Sequence, residues 1–193
     1  MADNQIGSYY LADNPDLYEI QRSNNFEFVV EDSINSMLRA GALGTEDKDF
    51  ITNGQEVLRF SMVDAFTPTF KQEPITIRRG NSVMKAAGVP TFEAGQIKVN
   101  DFIGADTKSV LMAWQALSYN VRTEKVGRMS QYKKDCTLLE YTPDYQLVRA
   151  WKLKGCWVSA IDGGTFTMEN GDKKTITATI EYDKAYIDYD SVD

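Results

Sequence analysis

With 193 residues, 42% of them hydrophobic and 25% charged, the chain suits one domain with a real core, and no apolar run is long enough for a bilayer-spanning helix. Its formal net charge of −7 makes it a poor candidate for gripping phosphate backbones. The complete lack of histidine removes Ser-His-Asp and Cys-His catalysis, histidine metal sites and histidine pH switches together.

The first residues, Met1-Ala2-Asp3-Asn4-Gln5, have neither the basic nor the apolar region of a signal peptide, so synthesis and folding in a cytoplasm are expected. Residues 1–23 form an arm that is polar, holds Pro15 and carries Tyr9, Tyr10 and Tyr18 without a clear period. It reads either as a solvated tail or as a segment that docks on something, such as a neighbouring copy. A domain over residues 24–187 follows, and residues 188–193 form a short tail.

Asn25 to Glu31 alternates, with Phe26, Phe28 and Val30 on one face, which predicts a half-buried strand. Residues 37–55 read as an insert of glycines and charges, with a short helical turn around Ser36 to Ala40 before the loop. Glu56 to Phe66 reads as a long strand with Leu58, Phe60 and Met62 on one face, broken by Pro68. Residues 67–95 are too long for an idle hairpin loop; they hold a strand-like stretch from Pro74 to Gly80 and seven apolar side chains that need cover somewhere. Gln96 to Phe102 is another strand.

Asp106 to Asn120 predicts a helix: Asp106 is a good N-cap, and Val110, Ala113, Trp114 and Leu117 repeat at three and four as one apolar stripe. Residues 121–135 are basic, but no aromatic or glycine framework accompanies the charges, so they read as a solvated loop or partner surface rather than a nucleic-acid patch. Cys136 to Tyr141 and Gln146 to Val158 are strands joined by a Pro143-Asp144 turn. The two cysteines, Cys136 and Cys156, read as reduced, buried thiols, the alternative being a disulfide between neighbouring strands.

In the last of these strands Trp151, Leu153 and Trp157 fall on one face with Gly155 in phase, and Lys152 and Lys154 fall on the other. Counting back through a two-residue turn sets Asp135 opposite Lys152. Phe166 and Met168 then alternate towards Asn170-Gly171, a strong hairpin signal, and Thr175 to Tyr182 returns with Ile176, Ala178, Ile180 and Tyr182 inside. No P-loop, dinucleotide fingerprint, CxxC or calcium loop is present, and the acidic clusters fit no metal spacing; the chain reads as a non-enzyme without catalytic, cofactor or metal residues.

The order of these parts resembles the tail tube proteins of bacteriophages, especially those of contractile tails, which are related to type VI secretion tube proteins. Four parts carry it: the block from Val57 to Val99, the helix "SVLMAWQAL", the segment from Trp151 to Trp157, and the Thr-rich strand ending at Tyr182. The resemblance implies a mainly β fold, an antiparallel β-sandwich or barrel with one flanking helix. It implies hexameric rings stacked into a tube, with a tail sheath outside and tape-measure protein and genomic DNA in the channel without tight binding. The location implied is the virion tail, assembled in the host cytoplasm, with no membrane contact.

Residues 67–95 become a stacking loop, with Pro68, Phe70, Ile75, Ile77, Arg78, Arg79, Met84 and Phe92 as assembly residues. Asp135, Lys152 and Lys154 become candidates for the channel surface. The tube of a type VI secretion or extracellular contractile injection system is the nearest alternative. A monomeric β-barrel that binds a small ligand is the alternative of another class, and size-exclusion chromatography or negative-stain microscopy separates it from the others.

Overall fold

The computed structural model describes residues 20–31, 54–104, 106–168 and 171–189. The helical turn expected around Ser36 to Ala40 and nearly all of the arm and the insert lie outside them. Thirteen strands and three helices are found among the described residues. Two antiparallel sheets share one long strand, β11 (Leu147–Asp162). Its first half pairs with β10 (Lys134–Tyr141) and β13 (Lys184–Ile187), and β10 pairs in turn with β1 (Phe26–Val30). Its second half pairs with β12 (Thr175–Glu181), followed by β7 (Gly95–Asn100) and the short β2 (Met62–Asp64). The fold is therefore the mainly antiparallel β-sandwich that the resemblance implied.

Alternation places the core. In β12, Ile176, Ala178 and Ile180 are each 0% exposed, and they meet Phe28 and Val30 of β1 and Ile97 and Val99 of β7 in one cluster. Helix α2 (Thr107–Ser118) covers the cluster with Val110, Leu111, Ala113 and Trp114. Asp106 caps it, accepting from the Ser109 N–H and hydroxyl. The Trp114 indole N–H donates to the Tyr132 carbonyl at 2.9 Å, which ties the short helix α3 (Met129–Tyr132) to the same core. Both cysteines are buried and unbridged. Burial, with Cys156 beside it, pushes the Cys136 thiol well above its usual range, so it stays protonated and unreactive.

Three expectations are corrected. The first concerns Glu56 to Phe66: residues 54–61 form helix α1 (Gly54–Ser61), and strand begins only at Met62. Leu58 and Ser61 are buried while Phe60 is 70% exposed, so burial follows the helical spacing and not the alternation of Leu58, Phe60 and Met62. The second concerns the face of Trp157. Gly155 has φ +70 and is an extra residue in β11, since Lys134 pairs with Cys156 but Cys136 pairs with Leu153. This bulge inverts the alternation, so Leu153 and then Cys156 and Val158 face the core. Trp157 turns outward and meets Tyr132 edge-on, with ring centroids 5.8 Å apart.

The third correction concerns residues 163–168, which form no strand. β11 runs on to Asp162, which pairs directly with Thr177, so a strand at Phe166 has no neighbour to join. Asn170 lies outside the described residues.

Gly155 yields a direct prediction. Its backbone is left-handed, and a Cβ there would lie 2.3 Å from a carboxylate oxygen of Asp183. Gly155→Ala is expected to cost about 1–2 kcal/mol of stability from the backbone alone. Urea unfolding of the two proteins measures it, and an unchanged midpoint would mean the bulge is not held.

Candidate assembly surfaces

Residues 70–92 build a two-tier β-ribbon. β3 (Phe70–Gln72) pairs with β6 (Pro90–Phe92), and beyond them β4 (Ile75–Arg79) pairs with β5 (Ser82–Ala86) through a turn at Gly80 and Asn81. The root is anchored. Phe66 stacks on Tyr182, and Phe92 packs against both Tyr182 and Phe70. The Tyr182 hydroxyl donates to the Thr69 carbonyl at 3.1 Å and accepts from the Thr69 N–H. Pro68 is buried at this root, and Phe92 is half-buried.

The outer tier stands off the body, with every residue of β4 and β5 exposed. Directly paired residues share a face. Ile75, Ile77, Met84 and Ala86 therefore make one apolar face, joined at its end by Arg79, while Arg78 and Lys85 lie on the other. Among the described residues, Lys71, Arg78, Arg79 and Lys85 take part in no ion pair. The sequence singled out these apolar residues; it did not show that a second hairpin holds them in a defined ribbon. The two-residue turn at Gly80-Asn81 was the signal for it.

Asp135, Lys152 and Lys154 lie together on the face of the first sheet turned away from the core. The register differs from the expected one by two residues. Thr137 sits opposite Lys152, and Asp135 meets Lys154 at 2.5 Å and accepts from the Gly155 N–H. The connection between β10 and β11 spans residues 142–146 in place of a two-residue turn, which shifts the register by one residue, and a bulge between Glu140 and Tyr141 adds the second. An even slip keeps every side chain on its own face. Lys152 finds its carboxylate in Asp188, at 2.5 Å.

Burial raises the Asp135 carboxyl, but bonds from Lys154 and the Gly155 N–H and the charges of Lys154 and Lys134 outweigh it and hold the group below 3.8. Its contribution is therefore present above the unfolded value and is lost as pH falls through the folded one. The stability gap between wild type and Asp135→Asn is expected to be small at neutral pH, because the pair is half-exposed. It should close as pH falls below the ordinary carboxylate range. Urea midpoints across that range check it, and a gap independent of pH refutes it.

A half-open groove of about 470 Å³ lies between the end of α2 and distal β11, lined by Met112, Tyr119, Val121 and Trp157 among others. No described cluster of His, Cys, Asp or Glu suits a metal, and no described helix is long and apolar enough to cross a membrane.

No family model matches the chain, and no curated protein matches it either. Solved structures do. A chain of the PVC sheath/tube terminator of an extracellular contractile injection system, in the extended state, superposes with a TM-score of 0.61 at 15% identity, covering 88% of this chain and 97% of that one. A chain of the anti-feeding prophage cap, described as its tube terminating cap, gives 0.59 at 11% identity, covering 88% and 91%. The fold is therefore one that this chain shares with chains of these tube, sheath and cap assemblies. A chain of the PVC sheath-tube complex in the extended state adds a third match, 0.58 at 15% identity over 89% and 92%. Almost the full length of each of these chains is thus spanned, and each comes from a tube, sheath or cap assembly.

Proposed function

We propose that this chain is the repeating subunit of the tube of a contractile apparatus, with rings of copies stacked around a channel and a sheath outside. One observation carries it. A sandwich with the tube fold holds out an anchored ribbon whose apolar side chains Ile75, Val83 and Met84 are each more than half exposed, a surface that a lone molecule has no use for. This ribbon, residues 70–92 and from here on called the arm, then bridges successive rings, and sheet edges such as β1 and β13 find partners in sister copies. In this reading Ile75, Ile77, Arg78, Arg79 and Met84 are contact residues, while Pro68, Phe70 and Phe92 set the root.

The fold matches favour an extracellular injection system as the setting. A phage tail in a virion, with tape-measure protein and DNA in the channel, has one feature in its favour. Lys152 and Lys154 are ion-paired, so if their face lines the channel they offer no free cation to passing phosphates. Purified full-length protein examined by sedimentation and negative stain tests the common part. Rings or hollow filaments are expected, and a persistent monomer at high concentration would sink it. Particles purified from the native source, with or without packaged DNA, separate the two settings.

A further inference from the structure

The two ends of the second sheet differ in kind. The arm is rooted at the end where Gly95 pairs with Ile180. At the other end, about 17 Å away along β7, Asn100 pairs with Thr175 and β11 stops at Asp162. The stretches that follow, with described residues 101–104, 106, 163–168 and 171–174, are joined by a bond from the Asp101 N–H to the Lys174 carbonyl. Together they present Phe102, Ile103, Phe166 and Met168, of which Ile103 and Met168 are exposed at 102% and 106%. Four apolar side chains exposed on these adjoining stretches, with the Lys174 ammonium 3.6 Å from the Phe166 ring centroid, need a partner surface as much as the arm does.

The charges of the two ends are opposed. The arm has Lys71, Arg78, Arg79 and Lys85 against Glu73. At the loop end, among the described residues, Asp101, Asp106, Asp162 and Asp172 outnumber Lys108, Lys173 and Lys174, and Asp101 is paired with Lys174. A symmetric contact of arm with arm would set Arg79 beside Arg79 at the end of the apolar face. A contact of loop end with loop end would set carboxylates together. Arm against loop end satisfies both the apolar faces and the charges, and it is heterologous, so it repeats in one direction without closing on itself.

We propose that the arm of each copy seats its Ile75, Ile77 and Met84 face on the Phe102, Ile103, Phe166 and Met168 end of a copy in the next layer. The proposal rests on the tube reading and names the receptor surface that the arm takes within it.

Two full-length variants test it. One carries Met84→Asp on the arm; the other carries Ile103→Asp with Met168→Asp at the loop end. All three residues are more than half exposed, so both variants should fold with unchanged circular dichroism; serine versions replace any that do not. Alone, each is expected to stop at one layer by sedimentation and negative stain. Mixed, the intact arm of the loop variant meets the intact loop end of the arm variant, giving stacks of two layers and no longer ones.

Normal elongation by the loop variant alone, or a mixture that stays at one layer, overturns the proposed receptor while leaving the tube reading in place. Wild-type protein that never assembles removes the tube reading itself, and this inference with it.

Discussion

Replacing Ala178 with proline abolishes the folded subunit and every assembly built from it. Ala178 is 0% exposed in the middle of β12, between Ile97 of β7 on one side and Ile161 of β11 on the other. Proline has no N–H to give to either ladder, and a central strand has no solvent-facing edge where that loss would be harmless. The ring also needs room beside Ile176 and Ile180, which are fully buried. The ladder carbonyl left without a donor and the overpacked ring each cost about 1–3 kcal/mol, together a large share of the 5–15 kcal/mol that holds a typical domain together. Thr177→Pro, one position away between Lys98 and Asp162, is expected to do the same. Soluble yield and circular dichroism read the outcome; soluble, ring-forming Ala178→Pro would contradict the pairing of β12.

Removing residues 74–90 has the opposite character: the subunit stays folded and assembly in layers stops. The excised ribbon contributes nothing to the core, since all of β4 and β5 are exposed. The cut joins Glu73 to Thr91 and leaves Gln72 and Glu73 as a short connection between Lys71 and Thr91, which are already paired. Phe66, Phe70, Phe92 and Tyr182 remain to close the root. Thermal unfolding should change little while filaments disappear. Filaments of normal length from the deletion would show that layers meet through other surfaces. Together the two variants separate the sandwich from the arm, one destroying the subunit and the other only its stacking.

How much of this was legible in the residues varies with the range of the forces involved. β1, β10 and β12 and helix α2 could be read directly because a strand or helix half-buried against one core writes its period into its own sequence. The strand ending at Tyr182 alternates without a fault, and Asp106 with the Val110 to Leu117 stripe marks the helix. The arm was legible as apolar chain without a home, though not as a ribbon. Lys152 and Lys154 were rightly set on the face away from the core and expected to have carboxylate partners, but the partners themselves depend on the length of a turn, and one of them, Asp188, comes from residues the strand pattern did not connect to them.

By itself, then, the sequence determined the strand-rich composition of the chain, the inward faces of most strands, the absence of histidine chemistry and the surplus of apolar side chains between Thr67 and Gly95. Tertiary structure alone decided that residues 54–61 coil, that Gly155 turns Trp157 outward, that residues 163–168 stay out of the sheet, and that the two exposed apolar clusters sit at opposite ends of one sheet. The reason is common to all four. Each depends on a neighbour far along the chain (the Leu58 burial site, the Asp183 carboxylate, the direct pairing of Asp162 with Thr177, the register of β7 on β12), and local periodicity carries no record of what lies across the fold.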